Sequence, residues 1–351
     1  MELQISDGAF VALVAAIGGV ALGLAARLGR FCTLGAIEDL LYGGSDHRIR
    51  MWGIALGTAM IATFVLIGAG FIPAADIPYL GSGWNPVAHV IGGLLFGYGM
   101  AIAGNCGFGA LARLGGGDLR SFVIVLVMGI AGYIVMSGPL AALRVRMFPA
   151  DLLTSDITPG LAHLAEALTG IGAPVFGVLA GAAIMIMALG SQSFRAERGL
   201  IVWGHIVGLA IAFAWAGTHV AAQRSFGATP LESYTFVAPL GETILYVMTA
   251  SGTTLSFAVG SVGGVLAGAF IGSLIKGHFR WEACEDPREL RRQITGAALM
   301  GAGAILAMGC SVGQGLSAMS VLAYGAPLTL AAIFAGAALG LRQLITGWAS
   351  V

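Results

Sequence analysis

The sequence predicts an all-α integral membrane protein that crosses the bilayer about nine times, with short re-entrant or broken helices between crossings. Three observations carry this: a very apolar composition, a succession of charge-free runs long enough to span hydrocarbon, and glycine-rich interruptions within those runs. Of 351 residues, 58% are hydrophobic and 10% charged, with a mean hydropathy of +0.91. A soluble domain carries about a quarter charged residues. This chain cannot cover itself with polar groups in water, so lipid is its natural solvent. Glycine is abundant at 56 residues, as expected where helices must approach closely inside a bilayer.

Several classes are disfavoured at once. Lys+Arg and Asp+Glu balance at 17 each, so nothing suggests a nucleic-acid partner. The four cysteines, Cys32, Cys106, Cys284 and Cys310, form no CxxC pair, which argues against a zinc site or dithiol. The N-terminus lacks a basic n-region, so the first apolar stretch is expected to stay in the protein.

The apolar runs are 8–26, 51–75, 87–112, 121–143, 167–194, 199–223, 243–275 and 293–341. The last is too long for one helix and divides at Gly309-Cys310-Ser311-Val312-Gly313-Gln314-Gly315. Most basic residues fall on alternate loops, with Arg144, Arg146 and Arg224 on the other side. The positive-inside rule then places the N-terminus outside and the C-terminus in the cytoplasm, in a multi-pass protein of the cell inner membrane.

Internal repetition is visible. Arg50-Met51-Trp52-Gly53-Ile54 resembles Ile201-Val202-Trp203-Gly204-His205, and the segment from Ala103 to Leu111 resembles that from Met308 to Leu316. The single membrane domain is expected to contain a first half (1–147), a connecting loop (148–166) and a second half (167–351). Duplicated halves with interrupted apolar segments at matching places indicate a transporter site at their junction.

Three cysteines share one setting. Cys32, Cys106 and Cys310 each precede a glycine by three residues (Gly35, Gly109, Gly313), at or beside an apolar helix that glycine interrupts. Irregular backbone survives at membrane depth only when buried in protein or lining a polar cavity, and free N–H groups at helix N-termini there suit an anion. A single buried thiol usually only packs; three in one repeated context point to a site. Cys284 lies in a charged loop without the motif and reads as a bystander.

The segments Gly29-Arg30-Phe31-Cys32-Thr33-Leu34-Gly35, Ala112-Arg113-Leu114-Gly115-Gly116-Gly117-Asp118-Leu119-Arg120-Ser121 and Gly309-Cys310-Ser311-Val312-Gly313-Gln314-Gly315-Leu316-Ser317 resemble those of the YeeE/YedE sulfur-transport family. The likeness spans nearly the whole chain. It implies an hourglass-like helical protein that takes up thiosulfate through a narrow centre, where Cys32, Cys106 and Cys310 touch the ion. It also implies a soluble sulfur-handling partner in the cytoplasm. The family covers other sulfur and selenium species, so the solute stays open, as does a soft metal ion.

Around the cysteines, the candidate solute contacts are Asn105, Gly107, Gly109, Arg113, Gly313 and Gln314. Asn105 and Gln314 either donate to the solute or cap helix ends. Arg30, Arg113 and Arg120 either form an electropositive vestibule or flank the membrane. No His or Lys lies within a few residues of the three motifs, which argues against a thiol-dependent sulfur transferase. No cofactor is expected. Isolated His89, His205 and His219 lack metal-ligand spacing, and the thirteen methionines do not cluster with the cysteines as a copper path would require. Glycines 115–117 are not followed by GKS or GKT, so no nucleotide-binding loop supplies energy.

Overall fold

A computed structural model describes residues 6–81, 84–149, 159–283 and 286–347. Cys284 and residues 150–158 of the expected connecting loop fall outside the described residues. Lipid offers no hydrogen bonds to backbone groups, so each crossing must satisfy its own, and helices do so. In order they are α1 (Asp7–Leu28), α2 (Thr33–Leu41), α3 (His47–Gly68), α4 (Pro78–Gly81), α5 (Pro86–Ala103), α6 (Gly107–Gly115), α7 (Leu119–Met136), α8 (Ala141–Met147), α9 (Leu161–Thr169), α10 (Ala173–Leu189), α11 (Gln192–Ala196), α12 (Arg198–Arg224), α13 (Val237–Thr249), α14 (Phe257–Ile275), α15 (Pro287–Leu306) and α16 (Gly325–Thr346). A π-helical turn, Gly313–Ala318, lies between α15 and α16. No strand forms among the described residues beyond two isolated bridges.

Local chemistry sets the helix ends. Ser6 accepts from the Ala9 amide at 3.3 Å, Asn85 from Ala88 at 3.1 Å and Asp286 from Arg288 at 2.8 Å, each satisfying a donor that the first turn leaves orphaned. Pro86 and Pro287 occupy the first helical positions, where a missing N–H costs nothing.

Among the described residues, seven stretches are long and apolar enough to cross a bilayer, making this a multi-pass membrane protein. The 17-residue α10 and the arginine-led α15 pack alongside them. Several sequence-derived runs are corrected: 121–143 is interrupted at 137–140 and 167–194 at 170–172. The 243–275 run breaks at 250–256, dividing α13 from α14; Ser251-Gly252 there favours a turn over continued helix. The 87–112 run breaks at Gly104, whose φ of 79° suits glycine. The expected division of 293–341 is present, between α15 and α16.

Glycines explain how the helices fit. α1 packs on α14, α5 on α15 and α16, and α3 on α10 and α12. On the α5–α16 face a methyl on Gly97 would overlap the Ile333 carbonyl oxygen, and one on Gly336 the Leu94 carbonyl oxygen. Both obstacles are backbone and cannot swing aside. Gly97→Val is therefore expected to destabilise the bundle by roughly 1–3 kcal/mol, seen as a lower melting midpoint in detergent; an unchanged midpoint would contradict this packing. Leu179, Ile186, Val247 and Ile275 are exposed, as lipid-facing side chains should be.

Candidate functional site

The three cysteine motifs adopt one local geometry. Each cysteine is the N-cap of a helical segment: Cys32 for α2, Cys106 for α6, and Cys310 for the helical turn from Ser311. Two residues earlier each motif turns through left-handed φ: Arg30 at 57°, Gly104 at 79° and Met308 at 56°. Three residues later stands the glycine. The Gly109 amide donates to Cys106 Sγ at 3.3 Å and the Gly313 amide to Cys310 Sγ at 3.5 Å, whereas the Cys32 side chain makes no such cap bond. At Cys106 and Cys310 the sulfur thus does what a serine or aspartate oxygen does at an ordinary cap.

The glycines at that third position leave room for specific neighbours. A methyl on Gly35 would meet the Arg48 guanidinium, and one on Gly313 would stand 2.6 Å from Thr235 Oγ1. Gly109 differs. Its added carbon would lie 3.6 Å from Cys106 Sγ and 3.9 Å from Cys32 Sγ, ordinary contact distances, in the space both thiols border. Cys32 and Cys106 also interact side to side.

These N-termini converge. Thr33 Oγ1 donates to Ser311 Oγ at 3.1 Å, joining the residue after Cys32 to the residue after Cys310. Thr235 Oγ1 lies 3.6 Å from Cys310 Sγ and immediately precedes Phe236, the N-cap of α13. A fourth short helix, without a cysteine, therefore also begins here. The sequence reading missed α13, Thr235 and Tyr79, whose Oη is 3.4 Å from where a Gly313 Cβ would stand. The Ser-Gly pair at 251–252 was the available signal. Helix N-termini brought together concentrate partial positive charge and free amides at one place, which suits a small anion.

Two cavities flank this centre. The first, about 630 Å³, is lined by Cys32, Asn105 and Gly109 together with Arg27, Arg30, Arg48, Arg113 and Lys276, against Glu38 and Glu282. The triple-glycine string serves it: a side chain on Gly116 would occupy the place of the Arg27 guanidinium, which donates to Ser273 Oγ at 2.7 Å. The second cavity, about 430 Å³, lies beside Cys310 and includes Tyr79, Arg144, Glu232, Thr235 and Glu242. The buried rings of Phe31, Phe108 and Phe236 form a chain, with centroids 6.4 and 5.2 Å apart. It starts at Phe31, in the wall of the first cavity, and ends beside Thr235, in the wall of the second.

The remaining candidates separate. Asn105 lines the basic cavity, and its Oδ1 is buried with no hydrogen-bond partner. Gln314 donates to the Met308 carbonyl at 3.0 Å and so braces the left-handed turn before Cys310, while its Oε1 is buried without a partner. Gly107 faces Met128 and borders neither cavity. Arg113 and Arg30 line the basic cavity; Arg120 is instead tied to Asp118, Glu282 and Glu289 at 3.2, 3.6 and 3.8 Å. His89, His205 and His219 pair separately with Thr329, Thr58 and Gln223, and no group of three metal-ligating side chains occurs among the described residues.

A multi-pass helical bundle with short cysteine-led helices meeting between two cavities, one of them strongly basic, fits a membrane transporter. Comparison with known sequences agrees: the chain belongs to the sulphur-transport (YeeE/YedE) family, whose profile matches residues 28–339, a family of transporters rather than enzymes. It is 25% identical to the thiosulfate transporter TsuA of Escherichia coli (strain K12) over 317 residues, 86% of this chain and 85% of that one. It is 24% identical to the thiosulfate transporter TsuA of Spirochaeta thermophila over 331 residues, 90% and 93% of the two chains. A shorter match, 33% over 100 residues, covers 28% of this chain and 23% of the probable transporter YedE of Salmonella typhimurium.

Proposed function

We propose that this protein imports thiosulfate across the inner membrane, handing the ion along Cys310, Cys106 and Cys32. The observation that carries the reading is the meeting of three helix N-termini, each led by a cysteine, between two cavities. The names of the full-length relatives supply the solute.

A bare dianion in low dielectric is very costly. Converging amides, thiol S–H donors and the Asn105 side chain replace part of its water, and none of them binds strongly. That weakness is useful, because conduction needs sites loose enough to release the ion. Neutral thiols donate to the oxygens and also suit the soft terminal sulfur, whereas thiolates would repel the ion. The arginine-rich cavity then draws it inward.

We place that basic cavity at the cytoplasmic face by the positive-inside rule, where a soluble sulfur-handling protein would collect the ion. We read α10 and α15 as further crossings, nine in all, and the chain as two related halves. The packed rings of Phe31, Phe108 and Phe236 must shift for the ion to pass.

The test is growth on thiosulfate as sole sulfur source, in cells lacking sulfate and thiosulfate uptake. Wild type is expected to restore growth; no growth despite normal membrane expression overturns the reading. Relay by hydrogen bonding also predicts that intact-protein mass spectrometry during turnover finds no cysteine–sulfur adduct. A trapped persulfide on any of the three cysteines would replace the relay with covalent transfer.

A further inference from the structure

The cavity beside Cys310 has an unexpected charge for a dianion importer. It presents two carboxylates, Glu232 and Glu242, and one cation, Arg144. Arg144 is engaged elsewhere, donating to the Val135 carbonyl at 3.1 Å and the Met136 carbonyl at 3.5 Å at the end of α7. Glu242 accepts from Ser256 Oγ at 2.5 Å. Glu232 differs from both. Its backbone is held on α12, with its amide 3.2 Å and its carbonyl 3.0 Å from Thr218 Oγ1. Its carboxyl lines the cavity and has no ion-pair or hydrogen-bond partner among the described residues.

The surroundings offer no other compensation. From α4 comes the Tyr79 phenol, which burial keeps protonated by raising its pKa. From α13 comes Glu242, which repels. Cys310 follows α15, and α14 contributes Phe257 and Ala258. On α12, His219 is taken up by Gln223 and by the edge of Phe71. An ion approaching Cys310 through this cavity therefore meets an uncompensated carboxylate. We propose that the Glu232 carboxyl takes up one proton each time the anion enters this cavity, so that thiosulfate and a proton bind cooperatively on the outer face. The inference rests on the importer reading above. The proton bonds to a carboxylate oxygen, and the pair enters with net charge −1 instead of −2. Glu232 stands in the stretch between α12 and α13, outside the spanning helices, where burial and then Glu242 raise it to about 7. The proton is thus available near neutral pH.

Linkage makes the effect reciprocal. Thiosulfate stays dianionic near neutrality, so the carboxyl alone sets the pH dependence. Well above pH 7, thiosulfate affinity should fall by about tenfold per pH unit, the limit for one linked proton. The experiment adds sodium thiosulfate to purified protein in weak buffer at pH 8, with a pH-indicating dye, while binding is measured by calorimetry. Wild type is expected to take up close to one proton per anion bound. Glu232→Gln should bind with an affinity independent of pH and take up none, whereas Glu242→Gln should keep the slope. Binding without proton uptake by wild type overturns the proposal while leaving the importer reading intact. An unchanged pH slope in Glu232→Gln overturns it too. No thiosulfate binding by wild type at any pH overturns both.

Discussion

Gly109→Ala is expected to abolish thiosulfate uptake while leaving the protein at least as stable as before. The added methyl stands 3.5 Å from Asn105 Cβ, 3.6 Å from Cys106 Sγ and 3.9 Å from Cys32 Sγ, so nothing in the fold must move to admit it. Glycine inside a helix costs roughly 0.8–1.0 kcal/mol relative to alanine, and α6 should gain some of that back. The space the methyl fills is the space two thiols and an amide-bearing side chain border, where the handed-on ion would rest. Uptake of radiolabelled thiosulfate into proteoliposomes should fall to the level of empty vesicles, with the melting midpoint unchanged or raised. Normal uptake would remove the ion from that space. Few substitutions separate function from folding so cleanly; Gly313→Ala, 2.6 Å from Thr235 Oγ1, would not.

The second large effect concerns the sulfurs. Cys310→Ala and Cys106→Ala are each expected to eliminate growth on thiosulfate. Both side chains are almost wholly buried, at 1% and 0% exposure, so each change also removes the cap that receives the Gly313 or Gly109 amide. A lost cap costs about 1 kcal/mol, which a bundle this size should tolerate. Membrane expression should therefore persist while uptake does not. Cys→Ser separates the two roles. A hydroxyl still caps the helix but is shorter and harder than a thiol, so Ser variants should recover stability without full transport. Cys284→Ala should grow normally. Growth of the Cys310→Ala strain at the wild-type rate would end the thiol relay.

Much of this was legible in the residues. Apolar runs fixed the helical class, and cysteine followed three residues later by glycine marked the breaks, because the close approach of Arg48 or Thr235 leaves no room there for a side chain at Gly35 or Gly313. The left-handed turn before each cysteine was not legible. It falls on Arg30 and Met308 as well as Gly104, and a non-glycine residue at positive φ leaves no compositional mark. The fourth half-helix was hidden because α13 carries no cysteine at its cap, and its apolar residues ran on into those of α14 across Ser251 and Gly252. Tyr79, Thr235 and Glu232 looked like ordinary loop residues; only folding brings them from separate segments to the wall of one cavity. Arg120, bracketed by Asp118, Glu282 and Glu289, shows the reverse: a basic residue beside a motif that serves architecture.

The most direct test of the central claim is an experimental structure of the protein with thiosulfate bound, recorded so that the sulfur atoms of the ion are identified. Density for the anion is expected within hydrogen-bonding distance of Cys310 Sγ and of the amides at Ser311–Gly313, or between Cys106 and Cys32 over Gly109. Density confined to the surface arginines of the basic cavity, with all three thiols untouched at saturating thiosulfate, would contradict it.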